Sequence, residues 1–282
     1  MMRFRYIILL AALAACTSHQ PEAIAAPPVP VTQTPLATLA PAKPKAGLQS
    51  FDSWKAEFRG RASKAGVSDE LLNKVLADIY VNERVISLDK KQPEHKLTKE
   101  EYLRNVINDA RIQKGKRMLA ENRTLLDEIS QKSGVEPEFI VALWGLETGY
   151  GDNTGGFSVV NSLATLAYEG RRKEFFENEL INALLIIDGG HISYEDMIGS
   201  WAGAMGQCQF MPTSFLSYAV DYNMDGRADI WGTKEDVFAS IANYLRTVGW
   251  GADDVTKEKA LMHWNRSTYF VASVFMLAEA IK

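Results

Sequence analysis

The spacing of apolar residues is helical almost everywhere beyond residue 50. Phe51, Trp54 and Phe58 share one helical face, and Ser68 stands as an N-cap before Leu71, Leu72, Val75 and Leu76. Capping boxes are predicted at Thr98-x-x-Glu101 and, with Asp in place of Glu, at Ser193-x-x-Asp196, while Gly134 and Gly189-Gly190 read as helix stops. The largest helical segments are expected at 123–133, 137–148, 173–188, 234–247 and 267–281. No run alternates well enough to predict a strand, and no repeat of fixed period is present. The pattern predicts a mostly α single domain over 50–282.

The first 49 residues follow a different pattern. Met-Met-Arg-Phe-Arg precedes an apolar run over 6–15 that is too short to span a bilayer, which predicts a secretory signal peptide, 1–15. The run ends in Leu13-Ala14-Ala15-Cys16, which resembles the lipobox of bacterial lipoproteins. That resemblance implies acylation of Cys16; the alternative is simple cleavage beside an incidental cysteine. Thr17 follows in place of the Asp that retains lipoproteins at the inner membrane, so the resemblance implies the periplasmic face of the outer membrane. The stretch 16–49 is rich in Pro, Ala and Thr and reads as an extended tether.

Composition changes this picture little. A hydrophobic fraction of 46% with 23% charged residues is ordinary for a globular domain. The net charge of −4 gives no basic footprint for nucleic acid. With Cys16 acylated, Cys208 is the one remaining cysteine, so no intramolecular disulfide is expected despite an oxidising compartment.

Two segments carry candidate chemistry. Pro137 opens a helix whose Ile140, Leu143 and Trp144 form a stripe, and the next position of that stripe is Glu147. A carboxylate in a buried stripe is costly unless paired, and desolvation raises its pKa toward the range a general acid needs. Thr148-Gly149-Tyr150-Gly151 then ends the helix, leaving Glu147 in its last turn; pairing with a buried Arg is the competing reading. The segment 199–214, Gly-Ser-Trp-Ala-Gly-Ala-Met-Gly-Gln-Cys-Gln-Phe-Met-Pro-Thr-Ser, suits either a groove wall that hydrogen-bonds amides and hydroxyls or a tight helix connection.

Together, Leu146-Glu147-Thr148-Gly149-Tyr150-Gly151 and the run over 202–214 resemble the signature of the B-type lytic murein transglycosylases. The likeness covers 51–282, since Arg171-Arg172-Lys173-Glu174-Phe175-Phe176, the loop 221–231, Ile241-Ala242-Asn243-Tyr244 and Trp264-Asn265-Arg266-Ser267 follow in the family's order. It implies a lysozyme-like helical catalytic core with an N-terminal helical region. It also implies cleavage of the bond between N-acetylmuramic acid and N-acetylglucosamine in peptidoglycan. The glutamate matching Glu147 is then acid first and base second, the muramic C6 hydroxyl closes a 1,6-anhydro ring, and no second carboxylate or catalytic cofactor is required. Among the matching positions, Ser200 and Gln209 are implied to contact substrate near Glu147. Arg171 and Arg172 are implied to meet its carboxylates, and Tyr102, Tyr244 and Asn265 to line the cleft. Tyr102 also stands where a hydrophobic staple with Leu97 would put it, and Arg171-Arg172 where a solvated helix start would. The family's β insertion is missing or much shortened, because only about a dozen residues separate Trp250 from Trp264; contacts near Trp264 and Phe270 therefore carry less weight.

Asp221-x-Asn223-x-Asp225-Gly226 reproduces the first half of an EF-hand loop, with a backbone carbonyl ligand expected at Arg227. Gly232 stands where the closing Glu belongs, and the family's longer loop ends in an acid matching Asp236. The expectation is a structural calcium ion, with Asp229 acting through water; against it, Thr233-x-x-Asp236 reads as a capping box and the cluster as a plain turn. Expected partners are peptidoglycan glycan strands, the membrane through the lipid anchor, and other cell-wall enzymes. A hydrolytic muramidase and a non-catalytic peptidoglycan-binding scaffold lipoprotein are the competing functions.

Overall fold

The computed structural model describes residues 50–91 and 97–282. The signal peptide, Cys16 and the tether all lie outside the described residues. An N-terminal group comprises α1 (Phe51–Lys64), α2 (Asp69–Asp78), α3 (Glu83–Lys90) and α4 (Lys99–Val106). Helices α5 (Asp109–Glu121) and α6 (Arg123–Ser133) lead to α7 (Pro137–Thr148), and β1 (Phe157–Ser158), α8 (Val159–Glu169) and α9 (Lys173–Asp188) follow. After β2 (Ile198–Gly199) come α10 (Pro212–Tyr218), α11 (Lys234–Thr247), α12 (Asp254–Trp264) and α13 (Thr268–Ile281).

The punctuation residues account for the boundaries. Ser50, Ser68, Asn108 and Asp253 each accept a backbone N–H of the helix they open, and Thr98 forms the full reciprocal box with Glu101. Gly134 ends α6 in the left-handed conformation. The five helices expected to be largest fall at the predicted bounds, except that Ser267 is the N-cap of α13 rather than its first residue, although α1 and α5 are longer than α6 and α7. Ser193 and Asp196 do bond to each other, but they close a single turn that feeds β2 instead of opening a helix. The strands are only two residues each, Phe157 opposite Gly199 and Ser158 opposite Ile198, too short for alternation to show.

Helix α7 is the axis of the domain. The predicted single stripe is too narrow a reading: every residue from Phe139 to Thr148 is buried, because α5, α6, α11 and α13 pack around it. Its entry is clamped by α12, where Lys257 pairs with Glu136 and Trp250 Nε1 donates to Glu136 Oε2 at 2.9 Å. Phe139 stands edge-on to Trp250 and Phe275 at 4.9 and 5.5 Å between centroids. The short segment after Trp250 is thus a helix, α12, with no strand in it. Around this axis α8 packs on α9, α3 on α8, and α4 on α13.

Candidate active site

The site forms where α7 stops. Gly149, Tyr150 and Gly151 all take positive φ (64°, 67° and 85°), so the chain reverses in three residues. Glycine does this freely, whereas Tyr150 bears strain on the order of 1–3 kcal/mol that its surroundings must offset. Its buried ring meets Trp144 edge-on at 5.6 Å, and its Oη donates to the Arg111 carbonyl at 2.8 Å. The ring lies across Gly145, where a Cβ would fall 2.5 Å from it. Lys114 donates to the Gly149 carbonyl at 2.8 Å, placing a cation at the negative end of the α7 dipole.

Gln207 ties this turn to the loop 199–210. Its Oε1 accepts from Trp144 Nε1 and its Nε2 donates to the Trp231 carbonyl, both at 2.8 Å. Thr148 Oγ1 lies 3.1 Å from the Gln207 carbonyl and accepts the Gly151 N–H at 3.0 Å. The sequence reading singled out Gln209 and passed over Gln207, since a glutamine amide in a small-residue run carries no periodicity that reveals its partners.

Glu147 is 6% exposed, and Trp264 Nε1 donates to its Oε1 at 2.8 Å. Burial pushes its carboxyl from an ordinary 4.5 up to about 7, and the indole hydrogen bond opposes that shift; no second carboxylate contributes. Pairing with a buried Arg, the competing reading from sequence, is not what the structure shows. Trp264 is held 4.6 Å from the Tyr244 ring and 5.4 Å from Phe210, and Tyr244 lies tilted against Tyr218 at 4.3 Å. Tyr244 Oη reaches His263 Nδ1 at 3.0 Å. Tyr102 hydrogen-bonds Ser273, packs 5.9 Å from Tyr269, and feels the charge of Glu147, as Tyr244 does. Leu97 is 44% exposed, so Tyr102 belongs to this aromatic surround and not to a staple. Burial and the Glu147 charge both raise the pKa of Tyr102, Tyr244 and the Cys208 thiol, and keep all three neutral around pH 7.

The remaining candidates sit at varied distances from that centre. Ser200 opens the loop, its Oγ accepting the Ala204 N–H at 2.9 Å, and bridges from Gly199 to Met205 and from Met205 to Phe210 fold the loop onto Trp264. Gln209, at φ 50°, donates from Nε2 to the Gly206 and Thr154 carbonyls at 3.0 and 3.2 Å. Asn265 is buried and accepts the Ser267 N–H at 2.9 Å, which sets the start of α13. Arg171 pairs with Asp89 of α3, and Arg172 lies 4.4 Å over Phe175. Their protein partners are on α3 and α9, away from the aromatic surround; Arg171 keeps 55% of its side chain exposed.

The loop 221–229 is internally bonded. Asp221 accepts the Asp225 and Gly226 N–H groups at 3.1 and 2.8 Å, and Asp225 accepts that of Arg227. Asp236 forms no capping box with Thr233. It is fully buried and accepts the Tyr222 and Asp229 N–H groups at 2.8 and 2.7 Å, so it closes the loop from α11. Asp221, Asn223, Asp225, the Arg227 carbonyl and Asp236 are an all-oxygen set of the type calcium takes. Among the described residues no three acidic, histidine or cysteine side chains cluster as a ready metal site, and two members of this set, Asn223 and the Arg227 carbonyl, are of another kind. The set fits by the chemistry of its donors.

A cavity of about 620 Å³ lies elsewhere, between α2 and the turn before β2, lined by Lys74, Asp188, His191, Tyr194 and Arg227 among others. Its polar groups are mostly paired with one another, Lys74 with Glu195 and Ser68 with Asp188, and Glu147 is not among them.

Comparison with known proteins gives a consistent result. Residues 50–258 match the family model described as "Transglycosylase SLT domain". The membrane-bound lytic murein transglycosylase B of Escherichia coli (strain K12) is 36% identical over 154 residues, which is 54% of this chain and 42% of that relative. The match thus spans less than half of that relative's length. Among solved structures, SltB3 from Pseudomonas aeruginosa in complex with NAG-anhNAM-pentapeptide superposes with a TM-score of 0.79 at 30% identity, covering 83% of this chain and 80% of that one. Soluble lytic transglycosylase SltB1 from Pseudomonas aeruginosa gives 0.76 at 26% identity, covering 81% and 98%. The mostly α, lysozyme-like architecture is the one these neighbours share.

Proposed function

The chain belongs to the Transglycosylase SLT domain family, and we propose that it is a lytic transglycosylase cutting the β-1,4 bond between N-acetylmuramic acid and N-acetylglucosamine in peptidoglycan, with Glu147 as its single acid and base. The observation that carries this reading is the setting of Glu147: buried, its carboxyl pushed by burial up to about 7, and without a carboxylate partner. The protonated carboxyl gives its proton to the bridging oxygen as the bond to the anomeric carbon breaks. The resulting carboxylate takes the proton from the muramic C6 hydroxyl as that oxygen bonds to the anomeric carbon. The 1,6-anhydro ring closes, no water is consumed, and Glu147 ends protonated as it began.

A glycosidase of the two-carboxylate kind needs a second acid about 5–10 Å away to act as nucleophile or base. Such a neighbour would raise the pKa of Glu147 further, and none contributes. The relative SltB3, in complex with an anhydro-muramyl pentapeptide, supports the same product class. Tyr102, Tyr244 and Trp264 offer flat faces for sugar rings, and Ser200, Gln209 and Asn265 offer polar groups beside them. Arg171 and Arg172 would meet carboxylates of the lactyl or peptide arm. Anchoring through Cys16 to the periplasmic face of the outer membrane, alongside other cell-wall enzymes, belongs to the same proposal.

Replacing Glu147 with Gln keeps the shape and removes the titrating proton. Clearing of purified sacculi is expected to fall at least about a hundredfold with no loss of thermal stability; clearing at the wild-type rate would leave only the scaffold reading. For the loop 221–236 we propose a structural calcium ion. Stabilisation by a ligand that binds the folded state predicts a melting temperature that falls with chelator and recovers with calcium but not magnesium. An unchanged temperature assigns the loop to an ordinary turn.

A further inference from the structure

Glu147 must act twice in opposite senses, and its two oxygens are not equivalent. Oε1 receives the indole N–H of Trp264 at 2.8 Å, while no described residue donates to Oε2. An indole nitrogen donates and never accepts. In the protonated carboxyl the carbonyl oxygen is the stronger acceptor, so a donor at Oε1 favours the form with the carbonyl oxygen facing Trp264 and the acidic hydrogen on Oε2. Ionisation changes nothing at Oε1, which keeps the same donor.

We infer that Trp264 is a positioning residue that occupies Oε1 in both states of Glu147 and so assigns both proton transfers to the single oxygen Oε2. This rests on the reading of Glu147 as acid and base. It has a stereochemical consequence: the leaving oxygen and the C6 hydroxyl must visit the same atom in turn, from one side of the muramic ring.

The tether is built for this purpose at both ends. Glu147 is fixed in the last turn of α7, which Gln207 and Tyr150 lock in place. Trp264 is the final residue of α12, wedged between Phe210 and Tyr244. That helix follows shortly after Trp250 and carries the donor at its last residue. Hydrogen bonds to an ionised acceptor are stronger than those to a neutral one, so the indole also favours the carboxylate and restrains the effect of burial. The other ionisable groups around it, Tyr102 from α4, Tyr244 from α11 and Cys208 from the loop, stay neutral through the relevant range.

Nuclear magnetic resonance on the free protein tests this without relying on turnover. The Trp264 indole N–H resonance is expected to shift with pH along the same curve as the labelled Glu147 carboxyl, with a midpoint near 7, and to lose that response in E147Q. In W264F, which keeps a ring in the wedge, the Glu147 midpoint should rise by about one pH unit, and the pH dependence of turnover should move the same way. An indole resonance indifferent to Glu147, or an unmoved midpoint in W264F, overturns the inference. Coupled titration in a protein whose E147Q variant still cuts would instead overturn the catalytic reading and leave the tether standing.

Discussion

At the scale of single residues, the energetics of Glu147 separate function from stability. A carboxyl whose folded-state pKa lies near 7 against 4.5 in the unfolded chain binds more protons folded than unfolded between those values. Stability from this group is therefore complete below about pH 4.5 and lost as pH rises through 7. E147Q abolishes the titration, so it should match the wild type in stability near pH 4 and exceed it by on the order of 2–3 kcal/mol at pH 8. Denaturant melts at the two pH values check this, and equal stabilities at pH 8 would mean that Glu147 is solvated. An acid placed by selection for folding alone would not cost stability under working conditions. Sequence spacing predicted the burial of Glu147 near the end of α7, as found, but could not show its donor, because Trp264 is 117 positions away. Asn265, its neighbour, drew the attention instead; it accepts the N–H of Ser267, the residue that caps α13.

At the scale of elements, the decisive unit is the end of α7 with its left-handed turn. Gly145 has an ordinary helical place in the sequence, yet a methyl group there would meet the Tyr150 ring at 2.5 Å. Gly145→Ala should cost about 1–3 kcal/mol by overpacking and lower turnover more than Gly60→Ala, which has open space around it and no left-handed backbone; equal effects on turnover would show that the turn does not position Glu147. Helix positions were readable where caps and periodicity coincide, as at 123–133 and 173–188. Helix α8 was not, because nearly all of its residues from Val159 to Ala167 are buried and show no polar face. The Ser193-x-x-Asp196 box was misread for a related reason: its local bonds are real, but the chain continues into a sheet and not a helix. Likewise Asp236 looked like a cap partner, and burial by the loop across from it gave it a different task.

At the scale of the whole molecule, a central buried helix presents one ionisable group at its exit, and the surrounding helices supply an aromatic wall and a donor. The mostly α class was legible from apolar spacing, because helices with a half-exposed face announce themselves. The cleft was not, since it is assembled from α4, α7, α11, α12 and the loop 199–210, whose mutual distances no local pattern records. The central claim concerns a bond made inside the substrate instead of with water, and the mass of the product decides it. Purified sacculi digested with the full-length protein and resolved by mass spectrometry should yield muropeptides ending in 1,6-anhydromuramic acid, 18 Da lighter than hydrolysis products (about the mass of one water). Reducing-end muropeptides as the main product would contradict the account.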